Sequence, residues 1–259
     1  MFLARLTGKE EMAQKPAEFR VGYSPADEKR FGIRTARAEG VTEDTVAGVI
    51  EFCRNNRIEL LIARCHTSKI RTAQALEEAG CRLADTLIHY VRNMIRIPLP
   101  PLPPGISIRP VEKGEEKLVG EIAADAFGNY GGHYQADARL AHVPAAEIYS
   151  SWAVNSCLNR DRIHDVLIAE YRGEPAGIIT VRLNNPSEGE GPLAGVATSA
   201  GKRSLILRAL SIGAMHWFRS RGATRCVASL LITNRVMQKI MSRLDFEPEQ
   251  SYYTFHKWF

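Results

Sequence analysis

Paired cysteines, long apolar runs and single-sign charge clusters are all missing from this sequence of 259 residues. Its five cysteines are an odd number, are widely spaced and include no Cys-x-x-Cys pair, which argues against a disulfide scaffold and against a zinc site. No stretch approaches the roughly 20 apolar residues of a membrane helix, and the N-terminal apolar run is too short for a signal peptide. We therefore expect a cytoplasmic protein with no metal site and no membrane partner.

The sequence has little excess of either sign of charge. The 34 basic and 29 acidic residues leave a net charge of only +5, and no long run of either sign occurs. An extended nucleic-acid surface is therefore not expected, whereas a small phosphate-rich ligand would suit so mild a basic excess. The apolar fraction of 45% is enough to build a buried core.

Proline is concentrated in one place. Five of the 13 prolines fall in residues 98–105, a composition that forbids a helix and favours an extended connector. We expect an N-terminal domain over residues 1–97, a linker over 98–105 and a C-terminal domain over 106–259. The alternative, a docking site for a proline-binding partner, is not needed to explain this composition.

Apolar periodicity predicts alternating helices and strands, and hence an α/β protein with a mixed sheet. Before the linker we expect a helix over 45–55, a strand over 59–64, a helix over 68–79 and a strand over 83–92. After it we expect a strand over 106–110, helices over 113–127 and 145–157, a hairpin over 165–183, a strand over 193–198, a helix over 205–221 and a last strand over 251–258.

The two segments share an internal echo. Residues 61–81 match residues 226–246 at a constant offset of 165 positions in the pattern of strand, polar turn and helix. Residues 86–93 fall on 251–258 at the same offset. The pattern suggests two related units, although convergence on one strand-helix-strand pattern would produce it as well.

A basic loop lies between the predicted strand that ends at Thr198 and the helix that follows. Ser204 can cap that helix, so that backbone N–H groups and the cations of Lys202 and Arg203 converge on one point. Such a point suits a phosphate. An ordinary solvated basic turn is the simpler interpretation of the two cations.

From residue 165 onward, the order and spacing of these elements resemble the GNAT superfamily of acyl-CoA-dependent N-acetyltransferases. The hairpin, the basic loop, the helix ending near Trp217, the helix opened by Asn234 and the aromatic last strand carry the resemblance. Tyr149, Trp152 and the aromatic ending are also similar to the sugar-nucleotide group typified by dTDP-fucosamine acetyltransferase. The resemblance implies a GNAT-like fold preceded by a partial GNAT-like unit. It also implies acetyl transfer from acetyl-CoA to an amine, for example that of a nucleotide-linked sugar.

The resemblance also implies site residues. A small-molecule amine is the expected partner, and the chain could form a homodimer. The coenzyme's pantetheine arm would lie along the strand end and its pyrophosphate on the basic loop. The superfamily's acid is a tyrosine on the helix after Asn234, where this chain has Met241. Tyr252, Tyr253 and His256 of the last strand are therefore the nearest candidates to protonate the thiolate. The residues concerned are Val196, Ala197, Thr198, Gly201, Lys202, Arg203, Ser204 and Asn234 for the coenzyme, Tyr253 and His256 for catalysis, and Tyr130, His133 and Tyr134 for the acceptor.

Simpler roles exist for several of these residues. Asn234 could be a helix N-cap, His256 a structural histidine, and Tyr149 with Trp152 a core pair on one helix face. Two glycines beside His133 suggest a mobile surface loop. A histidine there could still act as a base near neutral pH.

Three positions depart from the superfamily's pattern. Leu205 and Leu207 stand where glycines would let a pyrophosphate approach the backbone, and Met241 stands where a tyrosine acid is common. A second hypothesis is therefore a catalytically silent GNAT-like protein with a binding, regulatory or assembly role. A third is transfer of a larger acyl group.

Overall fold

The first half of the chain supplies four strands to a mixed sheet. The computed structural model describes residues 19–259, so the prediction about the extreme N-terminus lies outside the described residues. The elements are β1 (Arg20–Tyr23), α1 (Pro25–Phe31), β2 (Thr35–Glu39), a 3-10 turn (Glu43–Thr45), α2 (Val46–Asn55), β3 (Leu60–His66), α3 (Ile70–Glu78) and β4 (Arg82–Asn93).

The second half supplies six more strands and five helices. They are β5 (Ile106–Pro110), α4 (Glu116–Phe127), α5 (His133–Ala136), α6 (Ala145–Leu158), β6 (His164–Tyr171), β7 (Glu174–Asn185), β8 (Glu188–Val196), α7 (Arg203–Arg219), β9 (Arg225–Leu231), α8 (Arg235–Arg243) and β10 (Glu247–Trp258). The predicted α/β fold with a mixed sheet is confirmed.

Strands of the two halves interleave in one ten-stranded sheet. The order is β1-β2-β3-β10-β4-β9-β8-β7-β6-β5, so that β10 lies between β3 and β4 and pairs antiparallel with both. In turn β4 lies between β10 and β9. Each half thus places a strand inside the other, although the proline-rich segment separates them in sequence.

An approximate two-fold relation organises the centre of the sheet. Each of β9, α8 and β10 begins and ends 165 positions after β3, α3 and β4 respectively. Tyr252 stands 165 positions after Leu87, and the two residues face each other directly in the β4–β10 pair. The echo in the sequence is therefore a repeated strand-helix-strand unit whose two copies meet at this pair.

Apolar side chains cover both faces of the sheet in three clusters. Helices α2 and α3 bury Val49, Cys53 and Leu76 against one face of the first half. On the same side of the second half, α7 buries apolar residues at helical spacing, including Ile206, Leu210 and Phe218. Helices α1, α4, α5 and α6 cover the opposite face.

The structure differs from the sequence-based expectations at several places. The short elements β1, α1 and β2 were not predicted. Strand β8 begins earlier than expected, at Glu188, and ends at Val196. Helix α7 begins at Arg203, so Lys202 occupies the N-cap position assigned to Ser204, and no side chain caps the helix. Finally, a short helix, α5, replaces the expected mobile loop at His133.

None of the helices within residues 19–259 combines the length and the hydropathy needed to cross a bilayer.

Candidate active site

A wedge opens in the sheet between β8 and β9. These parallel strands pair only where Glu188, Gly189 and Glu190 face residues 225–227. Beyond Glu190 no ladder pair joins the two strands in the described structure, although β8 continues to Val196 and β9 to Leu231. Diverging parallel strands leave backbone groups free at their carboxyl ends, which is where α/β sheets commonly bind ligands.

An irregularity in β8 helps to shape this wedge. Between the pairs Thr180–Leu193 and Arg182–Glu190, β8 contains one more residue than β7, at Gly191 and Pro192. Pro192 has no N–H to donate, and the Leu193 N–H donates to Thr180 Oγ1 at 3.1 Å instead of to a ladder carbonyl. The bulge therefore turns the β8 backbone at the mouth of the wedge.

A cavity of about 330 Å³ runs through the wedge from one face of the sheet to the other. On one side its walls come from α7 and α8, including Ser211, Asn234 and Met241. On the other side they come from the first half of the chain and from the α4–α6 layer. A cavity with two such ends can admit two substrates from opposite faces of the sheet.

The basic loop lies next to the wedge, but part of it is already engaged. Thr198 donates its backbone N–H and its hydroxyl to the Asp125 carboxylate of α4, and Ala197 donates its N–H to Ala176 O at 2.9 Å. These bonds to Thr198 lower the pKa of Asp125. Of the predicted pantetheine segment, Val196 is buried and Thr198 is held in the loop.

The remaining loop amides are available. In the described chain, the N–H groups of Gly201, Lys202, Arg203 and Ser204 make no backbone hydrogen bond, and all four residues are exposed. Lys202 adopts a left-handed conformation with φ 58°, unusual for a residue with a side chain. This conformation turns successive N–H groups toward one side of the N-terminus of α7, an arrangement that suits an anion.

Asn234 is a helix N-cap that also lines the cavity. Its side-chain oxygen accepts from Met237 N at 3.1 Å, which makes it the N-cap of α8, and it also lines the cavity. Met241, one further turn into α8, is buried and lines the cavity as well. Leu205 and Leu207 are half-buried against the core that α7 covers.

Three polar side chains form a relay on the opposite side of the wedge. His133 Nδ1 lies 2.9 Å from His256 Nε2, and His256 Nδ1 lies 2.8 Å from Asp137 Oδ2. The carboxylate also accepts from Trp258 Nε1 at 2.9 Å. Asp137 can only accept while ionised, so each histidine donates through Nδ1 and leaves the Nε2 of His133 as a free acceptor. His133 lines the cavity.

Burial and hydrogen bonding set the protonation of this relay. Burial lowers the pKa of His133 well below 6.5, and the neighbouring His256 and Arg64 act in the same direction. Burial also lowers the pKa of His256, against the attraction of Asp137. Burial opposes ionisation of Asp137, but bonds from His256 and Trp258 lower its pKa. At neutral pH both histidines are therefore uncharged and Asp137 is ionised.

A buried ion pair from the first half fixes the short helix that carries His133. Asp27 receives two bonds from Arg37, at 2.6 and 3.1 Å, and one from the Tyr134 hydroxyl at 2.8 Å. Burial disfavours the charge, but the bonds to Arg37 and Tyr134 lower the pKa of Asp27 to about 2. Tyr134 is therefore part of the support for α5, and the glycine-flanked segment is not a surface loop.

The structure brings some of the predicted residues together and separates others. Tyr130, His133 and Tyr134 line the cavity, and His256 joins His133 in the relay. Tyr253 packs with Phe255 on the opposite face of β10, in the core of the first half, and does not line the cavity. Burial raises the pKa of Tyr130 to about 12, so its hydroxyl is a neutral donor.

Sequence patterns gave no indication of several polar residues in this cavity. They are Arg64, Asp85 and Glu190, with Asp137 behind the histidines. Glu190 pairs with Arg182 at 2.7 Å. Each lies in a strand or loop with no recognisable motif, and only the interleaving of the two halves brings them to one place. Within residues 19–259, no three His, Cys, Asp or Glu side chains cluster closely enough to hold a metal ion.

Comparison with known proteins gave one curated relative, and no protein-family model matches the chain. The relative is the spore coat polysaccharide biosynthesis protein SpsD of Bacillus subtilis (strain 168), which is 27% identical over 177 residues. The matched region is 66% of this chain and 58% of SpsD, so the chain spans less than two thirds of its relative.

Solved structures with a similar fold are GCN5-related N-acetyltransferases. The protein from Sphaerobacter thermophilus superposes with a TM-score of 0.64 at 15% identity, covering 92% of this chain and 76% of that protein. The protein from Kribbella flavida gives 0.58 at 16%, covering 86% and 81%. A tandem GNAT protein of the clavulanic acid biosynthesis pathway gives 0.57 at 15%, covering 88% and 76%. Identities this low describe the fold and leave the reaction open.

Proposed function

We propose that this chain, which has the fold of the GCN5-related N-acetyltransferases, transfers an acetyl group from acetyl-CoA to an amine. The observation that carries the proposal is the open wedge between β8 and β9, beside the exposed amides at the N-terminus of α7. An acyl-CoA needs both features, because its extended amide-rich arm pairs like a strand and its pyrophosphate requires N–H donors.

The coenzyme would enter from the side of α7 and α8. Its pyrophosphate would lie on the amides of Gly201 to Ser204, with the Lys202 and Arg203 cations beside it. Its arm would run along the free edge of β8, near Val196 and Ala197, with Asn234 on the opposite side. Of the eight residues assigned to the coenzyme from the sequence, Asn234 lines the cavity. The other seven belong to the end of β8, to the loop that leads into α7 and to the first turn of α7, and Thr198 of this loop already bonds to Asp125.

The amine would approach from the other face, where His133 lines the cavity. The amine nitrogen attacks the thioester carbonyl carbon, a new C–N bond forms, and the C–S bond breaks as the CoA thiolate leaves. His133 Nε2 accepts the proton that the amine loses. His256 and Asp137 are positioning residues, since they hold His133 in the required tautomer and stabilise the imidazolium as it forms.

For the acceptor we propose the amino group of a nucleotide-linked sugar. Two observations support this substrate class. One is the similarity to SpsD, a protein whose name places it in polysaccharide biosynthesis. The other is the resemblance of Tyr149, Trp152 and the aromatic last strand to the sugar-nucleotide group. Tyr149 and Trp152 line the cavity, where aromatic faces can pack against a sugar or a base.

A catalytically silent protein with the same fold is the second candidate. Two observations favour it: Leu205 and Leu207 replace the expected glycines, and Asp125 places a carboxylate against the loop where phosphates should bind. In that case the wedge would hold no acyl-CoA.

Release of free thiol from acetyl-CoA in the presence of amino sugars and their nucleotide derivatives tests the transferase. We expect release that depends on both substrates and that Ala194→Trp abolishes, because Ala194 lines the wedge. Ala47→Trp, on the exposed face of α2, is the matched control and should behave as the wild type. Thiol release that Ala194→Trp leaves unchanged would reject the wedge as the coenzyme site.

A further inference from the structure

Arg64 is a cation in the cavity without a matching anion. It lies on β3, and its side chain lines the cavity that His133 also lines. Its hydrogen bond is from Nε to Thr254 Oγ1, at 3.4 Å. Across the described chain, no carboxylate oxygen lies within 4.0 Å of its guanidinium.

The neighbouring arginine, Arg37, is a cation with a structural role in this fold. Arg37, on β2, also reaches the cavity, but its guanidinium binds Asp27 with two hydrogen bonds and Tyr134 with a third. Arg37 therefore has its anion within the protein. Arg64 lies half-buried next to it without one among the described residues, and this burial lowers its pKa. Taking an unpaired cation even partly out of water is costly. Arginine nevertheless stays protonated in proteins.

Asp85 is the complementary group. Its Oδ2 accepts the backbone N–H of His133 at 3.1 Å, while its Oδ1 is buried without a hydrogen-bond partner in the part of the chain that the structure describes. Arg64 and Asp85 both lie opposite Thr254, one on each side of β10, so they occupy one row across three strands. Asp85 attracts the Arg64 charge, but no ion pair within 4.0 Å joins the two side chains in the described chain.

Within the described residues, two groups of opposite charge therefore line the same cavity: the Arg64 guanidinium, which has no ion-pair partner, and the Asp85 carboxylate, one oxygen of which has no hydrogen-bond donor. Their strands are two apart, which separates the backbones by about 10 Å, and the side chains extend into the space above β10. Asp85 lies next to His133, so an ammonium bound to Asp85 would be close to the proposed base. Arg64 would then face another part of the same molecule.

We propose that the acceptor is an amine that also carries an anionic group, a carboxylate or a phosphate, which the Arg64 guanidinium binds while Asp85 holds the ammonium. This inference rests on the acyl transfer proposed above. The guanidinium fork suits either anion, because it donates two parallel hydrogen bonds to a pair of oxygens. A neutral amine would leave the Arg64 charge unpaired in the closed site.

Two matched pairs of acceptors test the inference and separate the two anions. Alanine against alaninamide probes a carboxylate, and glucosamine 1-phosphate against glucosamine probes a phosphate. We expect the wild-type chain to acetylate the anionic member of at least one pair with a kcat/KM at least about tenfold above the neutral member. Arg64→Gln should remove this preference, because it raises KM for the anionic member far more than for the neutral member.

Arg54→Gln, on the exposed side of α2, serves as the control and should keep the wild-type preference. A second readout does not depend on turnover. Arg64→Met should melt at a higher temperature than the wild type, because it replaces a half-buried unpaired charge with an apolar side chain. Anionic acceptors should raise the melting temperature of the wild type but not that of Arg64→Met.

Titration with acetyl-CoA separates the two hypotheses. A wild-type chain that does not bind acetyl-CoA contradicts the transferase itself. A chain that binds acetyl-CoA but prefers neither anion, or binds none of the four acceptors, contradicts the role of Arg64. Equal losses for anionic and neutral acceptors in Arg64→Gln contradict it as well.

Discussion

His133 Nδ1 and His256 Nε2 lie 2.9 Å apart, although 123 positions separate the two residues in the sequence. One residue begins the short helix α5 and the other lies near the end of β10. Both residues belong to the second half of the chain, but β10 lies between β3 and β4 of the first half, and Asp85 of β4 accepts the backbone N–H of His133. The proposed base is therefore supported by both halves of the sheet.

Replacement of the relay residues should reduce catalysis far more than coenzyme binding. His133→Ala is expected to lower kcat by about 10²–10⁴-fold, since it removes the base. His256→Asn should cause a smaller loss, because it disturbs the orientation of His133 but keeps its Nε2. The Kd for acetyl-CoA should change by no more than about twofold in both. His142→Gln, which changes an exposed loop residue, is the control. A His133→Ala protein with the kcat of the wild type would rule out a catalytic role for the relay.

The pH profile of kcat/KM should report the same base. Burial holds the pKa of His133 well below 6.5, so the base is already unprotonated at neutral pH. The rate should stay independent of this group above pH 6.5 and fall only in more acidic solution, as His133 gains a proton. The acidic limb should disappear in His133→Ala. If the acidic limb persists unchanged in His133→Ala, a group other than His133 causes it.

Asp27 should contribute strongly to stability. Asp27→Asn leaves the half-buried Arg37 without its anion, so we expect a loss of about 3 kcal/mol in the free energy of unfolding at neutral pH. Urea denaturation measures this loss. Asp44→Asn, at an exposed carboxylate, should cost less than about 0.5 kcal/mol. An Asp27→Asn protein as stable as the wild type would contradict the role of this ion pair.

The stabilisation by Asp27 should depend on pH in a defined window. Its pKa is lowered from 3.8 to about 2, so its contribution is complete above pH 3.8 and is lost as the pH falls toward 2. The difference in stability between the wild type and Asp27→Asn should narrow by about 2 kcal/mol over that window. A difference that stays constant from pH 5 to pH 2 would show that the carboxylate is not ionised in the folded chain.

Lys202 should affect coenzyme binding more than stability. Lys202→Gly removes a cation from the loop. It also relieves the strain of a left-handed backbone at this residue, which stabilises the folded chain, but it gives the unfolded chain more conformational freedom, which opposes that gain. The free energy of unfolding should therefore stay within about 1 kcal/mol of the wild type. The Kd for acetyl-CoA should rise by about tenfold and depend less on salt. Lys69→Ala, at the N-cap of α3, is the control. An unchanged Kd in Lys202→Gly would remove this cation from the phosphate site.

The interleaved sheet predicts that the halves do not fold independently. A fragment of residues 19–97 lacks β10, which pairs with both β3 and β4 in the full chain. We expect that fragment to show no cooperative thermal transition by circular dichroism, whereas the full chain unfolds in one transition. A fragment with native-like sheet and cooperative melting would show that the first half is an autonomous domain.

Much of this fold could be predicted because its local signals are strong. Strand β5 was predicted with the bounds that it has, and α6 differs by one residue. The 165-residue echo anticipated a repeated unit that the structure contains. No local pattern predicted that β10 pairs with β3 and β4, which lie more than 150 positions earlier. Strand order depends on contacts between distant segments, and local sequence patterns do not show these.

The candidate site was only partly predictable for the same reason. His133 and His256 were singled out separately, yet neither spacing nor composition indicated that they touch. The glycines beside His133 suggested mobility, while the bonds of Tyr134 to Asp27 and Arg37, which fix this segment, come from about 100 positions away. Lys202, and not Ser204, is the N-cap of α7, and the sequence did not reveal this because a left-handed lysine has no characteristic sequence pattern.

Calorimetric titration of the full chain with acetyl-CoA tests the central claim most directly. We expect saturable binding of one molecule per chain, loss of that binding in Ala194→Trp and its retention in Ala47→Trp. The absence of saturable heat at millimolar acetyl-CoA, or equal binding by Ala194→Trp, would contradict the assignment of the β8–β9 wedge as a coenzyme site.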